Sequence, residues 1–214
     1  MHSNRIGTRP RRWRNGAIAA AVLTAAMVGA VTVPAAGHSS PSGNSAGTSR
    51  PTEAKQQCVI SVKDDGAAQR CFATSAEAIA YGSGGQIRVA ADATTHDAVV
   101  ALRAHDAAAA RGLAPNRRAA LASNIIGIEY DGSHRSGAAK YFSVSGDCYS
   151  GATYGFPKLS TYGWNDRINS AQTFVGCVGQ HYDDTYYSDT MVSVFGTRDD
   201  FGGQNNKTSS IRFI

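Results

Sequence analysis

The sequence predicts a mainly β chain. An antiparallel sandwich or barrel is expected over residues 124–214, with a small disulfide-tied α/β region ahead of it. Three observations predict this. Apolar side chains alternate in short segments after Asn124: Ile126, Ile128 and Tyr130; Phe142 and Val144; Val192 and Val194; Ile211 and Phe213. A polar six-residue motif occurs twice, at 165–170 and 205–210, each time ahead of a strand. Four cysteines fall as two pairs, Cys58 with Cys71 and Cys148 with Cys177, each pair inside one region.

The chain opens on a targeting pattern. Of 21 basic residues, Arg5, Arg9, Arg11, Arg12 and Arg14 lie at the start, and a nearly uncharged apolar run follows from Gly16 to Val33. It ends in Val33-Pro34-Ala35, with a small residue where a signal peptidase needs one. Residues 1–35 are read as a signal peptide and the protein as secreted. The rival, a membrane anchor, would use a run near the lower length for spanning. Arg14 stands where a twin-arginine signal wants an apolar residue, which favours the general secretory route. Removing this segment leaves 16 basic against 16 acidic residues, so no cationic stripe argues for nucleic acid. Residues 36–55, rich in Ser, Gly, Pro and Thr, are read as a flexible linker.

Residues 56–123 form the small helical and hairpin region. Cys58–Val62 reads as a strand, Gly66 as a turn, and Cys71-Phe72-Ala73 as its return. Thr74-Ser75-Ala76-Glu77 is a capping box, in which the threonine hydroxyl and the glutamate satisfy each other's backbone amides, so a short helix follows and stops before Gly82. A second helix is expected from Thr95 to Arg111, with Val99, Leu102 and Ala109 apolar, and a further turn at Ala119–Leu121. An even number of cysteines in an exported chain favours disulfides. Four cysteines allow three pairings, and the expected one keeps each bond within a region. Each bond is expected to contribute about 3–4 kcal/mol on the loop-entropy account. A zinc site is the rival, but the sequence has no CxxC spacing.

From residue 124 onward two half-patterns run in parallel. Tyr130-Asp131-Gly132-Ser133-His134-Arg135-Ser136-Gly137 leads to Asn165-Asp166-Arg167-Ile168-Asn169-Ser170. Tyr182-Asp183-Asp184-Thr185-Tyr186-Tyr187-Ser188-Asp189 leads to Asn205-Asn206-Lys207-Thr208-Ser209-Ser210. Side-chain oxygens packed this closely at the mouth of a strand suit a hard cation such as calcium. With Gly163-Trp164-Asn165-Asp166, these motifs make residues 124–214 resemble a microbial βγ-crystallin domain. Such a domain has two Greek keys, an aromatic-x4-aromatic-x-Gly hairpin and a calcium motif of Asn/Asp, Asn/Asp, x, x, Ser/Thr, Ser. The resemblance implies a two-Greek-key antiparallel β-sandwich. The departures are Arg135 at the second aromatic, Asp189 at the glycine and Asn169 at the Ser/Thr position. The first half is also longer, with its surplus expected between Cys148 and Tyr162 as a loop tied by Cys148.

The resemblance also implies a ligand set for calcium. Asp166 and Asn206 would give side-chain oxygens, Arg167 and Lys207 main-chain carbonyls, Ser209 a hydroxyl with Asn169 as its counterpart, and Asp131 and Asp183 backbone oxygens. So few carboxylates imply roughly micromolar to millimolar affinity. The expected function is a secreted, non-enzymatic, calcium-binding protein whose fold the ion stabilises. The alternative is a secreted metalloproteinase inhibitor on the same fold, its partner a secreted protease.

No HExxH, phosphate loop or GxSxG occurs. Gly146-Asp147-Cys148 resembles a nucleophile motif, but Tyr149 stands where glycine is needed. His134 and His181 are read as surface loop histidines rather than zinc ligands or catalysts. Tyr182, Tyr186 and Tyr187 are read as part hairpin core and part solvated rim.

Overall fold

The computed structural model describes residues 56–63, 66–111 and 123–214. The expected signal peptide, the linker at 36–55 and the turn at 119–121 lie outside these. The described elements are β1 (Gln57–Lys63), β2 (Gly66–Phe72), α1 (Ser75–Gly82), α2 (Thr95–Ala110), β3 (Asn124–Tyr130), β4 (Ala139–Val144), β5 (Tyr154–Phe156), β6 (Ser170–Thr173), β7 (Val178–Tyr182), β8 (Met191–Phe195), β9 (Thr197–Arg198) and β10 (Ser210–Phe213).

Two sheets form the sandwich, one in the order β2-β1-β4-β3-β6-β9 and the other β5-β10-β7-β8. Each Greek key keeps most of its strands in one sheet and sends its third strand to the other. In the first key β5 pairs with β10, and in the second β9 pairs with β6. The fold is therefore the expected two-Greek-key sandwich, closed by an exchange between its halves.

The hairpin and the two helices expected in 56–123 are present, and they are built into the same unit as the sandwich. β1 pairs with β4 in parallel, Gln57 beside Ala139 through Val62 beside Val144, so among the described strands the antiparallel pattern is broken at this join. Helix α1 starts on the capping box, with Glu77 N donating to Thr74 Oγ1 at 3.2 Å and Thr74 N to Glu77 Oε2 at 3.2 Å. At its other end the Gly82 carbonyl accepts from Ser143 at 2.7 Å and Ser123 at 2.8 Å. Helix α2 starts on a second capping box, Thr94 with Asp97, which the sequence reading did not identify. Asp106 on α2 accepts from Val175 N and from the Tyr149 hydroxyl, each at 3.0 Å.

The helices cover one face of the larger sheet and the smaller sheet covers the other. Hence β3 and β4 are buried at every position, where alternation alone predicts burial on one face. Phe142, Phe156 and Phe213 meet between the sheets, with ring centroids 4.4–6.0 Å apart. Both disulfides form as expected, Cys58–Cys71 across the β1–β2 hairpin and Cys148–Cys177 between the loops after β4 and β6. Most of the surplus of the first half is the 145–153 connection, which begins ahead of the expected Cys148–Tyr162 stretch and which Gly196 alone matches in the second.

Candidate metal centre

Both polar motifs sit at the same end of the sandwich because the same backbone bonds hold them. Asn169 N donates to Tyr130 O at 2.9 Å, and Ser209 N donates to Tyr182 O at 2.8 Å. The Ser170 hydroxyl donates to Gly132 O and the Ser210 hydroxyl to Asp184 O, both at 2.6 Å. The same hydroxyls accept from Arg135 N at 2.9 Å and Tyr187 N at 3.0 Å. These bonds lock each hairpin onto its own motif.

The two motifs then cross. Asp166 N donates to Thr208 O at 3.0 Å, and Asn206 N donates to Ile168 O at 2.9 Å. Asp166 and Asn206 both sit in the left-handed region, at φ 54° and 55°, which Asp and Asn tolerate better than most residues. The crossing carries each of these side chains to the opposite motif. Asp166 Oδ1 accepts from the Ser209 hydroxyl at 3.2 Å. Asn206 Oδ1 accepts from the Asn169 amide at 3.1 Å, and that amide also donates to Asp131 O at 2.6 Å.

Two oxygen-lined corners result. One joins Asp166 and Ser209, with Asp183 and Lys207 adjacent in the chain to residues that hold it. The other joins Asn169, Asn206 and Asp131 O, with Arg167 next to Asp166. Asn169 Oδ1 is buried with no hydrogen-bond partner among the described residues. It is an acceptor beside two further oxygens, and its own NH2 now holds those two. A cation there, with the amide turned over, would meet three oxygens at once. The residues therefore fit an oxygen-liganded ion. Among the described residues no group of three or more His, Cys, Asp or Glu side chains comes together, so amide, hydroxyl and main-chain oxygens would do most of the holding. Arg167 turns its side chain away from the corner, onto the Asp131 carboxylate at 2.8 Å and over the Trp164 ring at 4.5 Å. Lys207 is exposed.

Repeated hairpin locks, exchanged third strands and crossed motifs are all on one frame. The C-terminal half has a βγ-crystallin fold. Among solved structures the chain is similar to the N-terminal domain of protein S, at 20% identity over 42% of this chain and 94% of that one, TM-score 0.35. It is similar to a βγ-crystallin domain from Flavobacterium johnsoniae at 21% identity, over 42% and 93%, TM-score 0.33. It is similar to a βγ-crystallin from Ciona intestinalis at 18% identity, over 40% and 94%, TM-score 0.32. No family model matches the sequence, and no curated protein matches it.

The departures from the crystallin hairpin have physical explanations. Asp189 adopts φ 67° where Gly137 has 85°. In the first hairpin Asp131 Oδ1 accepts from Ala138 N at 2.7 Å, and a Cβ on Gly137 would stand 2.0 Å from that oxygen. In the second, Asp189 Oδ1 accepts from Thr190 N at 2.8 Å, so the residue in the glycine position supplies the acceptor itself. Arg135 pairs with Asp199 instead of packing as an aromatic. Tyr182 and Tyr187 pack with centroids 5.8 Å apart and Tyr187 lies under Arg212, while Tyr186 is 71% exposed.

His181 corrects the sequence reading. It is no surface histidine: it is 2% exposed, and its Nε2 lies 3.0 Å from Glu129 Oε2 between the sheets. His134 stays on the exposed first hairpin, so the two histidines form no joint site. The sequence reading also passed over Glu129 and Lys140. A charged residue inside an apolar alternation was the available signal.

Proposed function

We propose that this is a secreted, non-enzymatic module whose βγ-crystallin half binds calcium weakly at two corners, the ion pinning the crossed loops. The observation that carries the reading is the exchange of donors between motifs, Asp166 to Ser209 and Asn206 to Asn169. Each corner draws on both Greek keys, so an ion in either one binds the folded chain and not the unfolded chain. It stabilises the fold by mass action, about 2.7 kcal/mol at a calcium concentration 100 times Kd. The charged apolar leader at 1–35 supports export, and extracellular calcium is abundant enough for weak sites to fill.

Calcium titration calorimetry on the exported chain, with melts in calcium and after ion removal, tests this. Binding with a raised Tm is expected. Absence of heat with an unchanged Tm would remove calcium from the account.

One feature favours the second reading, inhibition of a secreted protease. The 145–153 connection is held by Cys148–Cys177 while presenting exposed Tyr149, Ser150 and Gly151. A loop fixed at its base and open at its tip suits a protease cleft, because little ordering remains to be done on binding. Inhibition assays against secreted metalloproteinases decide it. Loss of inhibition on replacing Tyr149 would assign the role to this loop.

A further inference from the structure

Beside the Asn169–Asn206 corner lies a cavity of about 470 Å³, lined by Gln69, Asp131, Lys140, Tyr162, Trp164 and Arg167 among others. Lys140 is 3% exposed. Its Nζ donates to Gln69 Oε1 at 2.8 Å and Tyr162 O at 3.0 Å, and lies 4.9 Å from the Trp164 ring centroid. An ammonium carries three N–H groups, so one has no partner among the described residues. No carboxylate of the described residues lies within 4 Å of Nζ. The Arg167 guanidinium faces the same ring at 4.5 Å and pairs with Asp131 at 2.8 Å. The cavity thus holds two cations and one carboxylate, with a buried ammonium that neutral oxygens and a ring alone satisfy. Buried charges are ordinarily paired.

We infer that this cavity binds a small carboxylate, with Lys140 as the principal contact and Arg167 as the second cation. The local charge of one positive unit matches one negative charge, and the Asp131 carboxylate works against a doubly charged phosphate. The carboxylate belongs either to a free organic acid or to an acidic side chain of a peptide. Binding would supply the counter-ion that Lys140 lacks. It would also reach the Asn169–Asn206 corner of the candidate metal centre, because Asp131 lines the cavity while its main-chain oxygen accepts from the Asn169 amide in that corner. The inference stands without the calcium reading, since its contacts are all side chains of the cavity.

Burial, and then the neighbouring Arg167, push the Lys140 ammonium down to about 8. An anion binds the protonated form, so affinity is fully present below that value and falls as pH rises through it.

The test is calorimetry on the full chain, stripped of divalent ions on a resin and held in carboxylate-free chloride buffer. The probes are acetate, the peptide amide Ala-Ala-Glu-NH2 and its uncharged counterpart Ala-Ala-Gln-NH2. Acetate and the glutamate peptide are expected to bind and the glutamine peptide not to. Tighter acetate points to a free acid and a tighter peptide to an acidic segment. Wild-type affinity should fall about tenfold or more between pH 7 and 9.5, as the charge-assisted contact disappears. Lys140→Met should weaken binding by about 10- to 100-fold while raising Tm, because it removes a buried charge with no counter-ion. The inference is overturned if neither carboxylate binds, if wild-type affinity does not change with pH, or if Lys140→Met binds as well as wild type.

Discussion

The two Greek keys share one backbone frame and differ in what that frame carries. Their hairpin locks match bond for bond, from Tyr130 O with Asn169 N to Tyr182 O with Ser209 N. Aligned on these tyrosines, Glu129 and His181 occupy the same position in the two repeats, and they meet in the core. Gly127 and Gly179 are likewise equivalent, and both approach Phe213. The outer faces diverge. In β4, Ala139, Tyr141 and Ser143 lie under the helices and are at most 1% exposed. Their counterparts in β8, Met191, Ser193 and Phe195, are open, with Phe195 75% exposed. Backbone bonding therefore preserves the repeat, while side chains diversify wherever the two halves face different surroundings.

The largest expected contrast is between Phe142 and Phe195. Phe142→Ala empties a fully buried site and should lower stability by about 3–5 kcal/mol in urea unfolding. Phe195→Ala removes an exposed ring and should stay within about 0.5 kcal/mol. Similar losses in both would mean that something covers β8. Next comes the pair on the shared position. His181→Ala leaves Glu129 buried without its partner and should be about 3–5 kcal/mol less stable, near the Phe142 variant. A loss below about 1 kcal/mol would show that the pair does not tie the halves together.

The paired glycines should rank by space. A Cβ at Gly127 would stand 2.4 Å from the Phe213 ring, against 3.0 Å from the nearest atom, on His181, at Gly179. Gly127→Ala should cost about 1–3 kcal/mol, read as the shift in urea midpoint, and Gly179→Ala less. Reversed order would place the pseudo-symmetric contacts wrongly. The smallest effect is expected at Asp189. Asp189→Gly relieves a positive φ but withdraws the acceptor for Thr190 N, so Tm should change by only a few degrees, equivalent to about 1 kcal/mol or less.

Much of the fold was legible in residues. The Thr74–Glu77 box marked its helix, the alternating segments marked β3, β4, β8 and β10, and the cysteine positions marked both disulfides. The parallel join of β1 to β4 was not legible. It pairs segments about 80 positions apart, and no local periodicity encodes a partner. Burial of β3 on both faces follows from that join and from the helices, so it was hidden with them. At the candidate centre the motifs were legible, because Asn, Asp and Ser at fixed spacing speak for themselves. Their crossing was not, since it depends on left-handed turns at Asp166 and Asn206. Nor was the Asn169 amide lying against Asp131 O and Asn206 Oδ1, a contact made between distant turns.

The central claim, that each corner takes donors from both keys, is most directly tested by calcium calorimetry on wild type, Asn169→Ser and Ser209→Arg in parallel. Two unequal sites are expected in wild type, the stronger at Ser209. Asn169→Ser, by placing a hydroxyl where the amide now competes, should tighten the weaker site, and Ser209→Arg should abolish the stronger one while sparing the other. If both variants titrate as wild type does, or if wild type takes up no calcium, the crossed motifs are only a way of closing two turns.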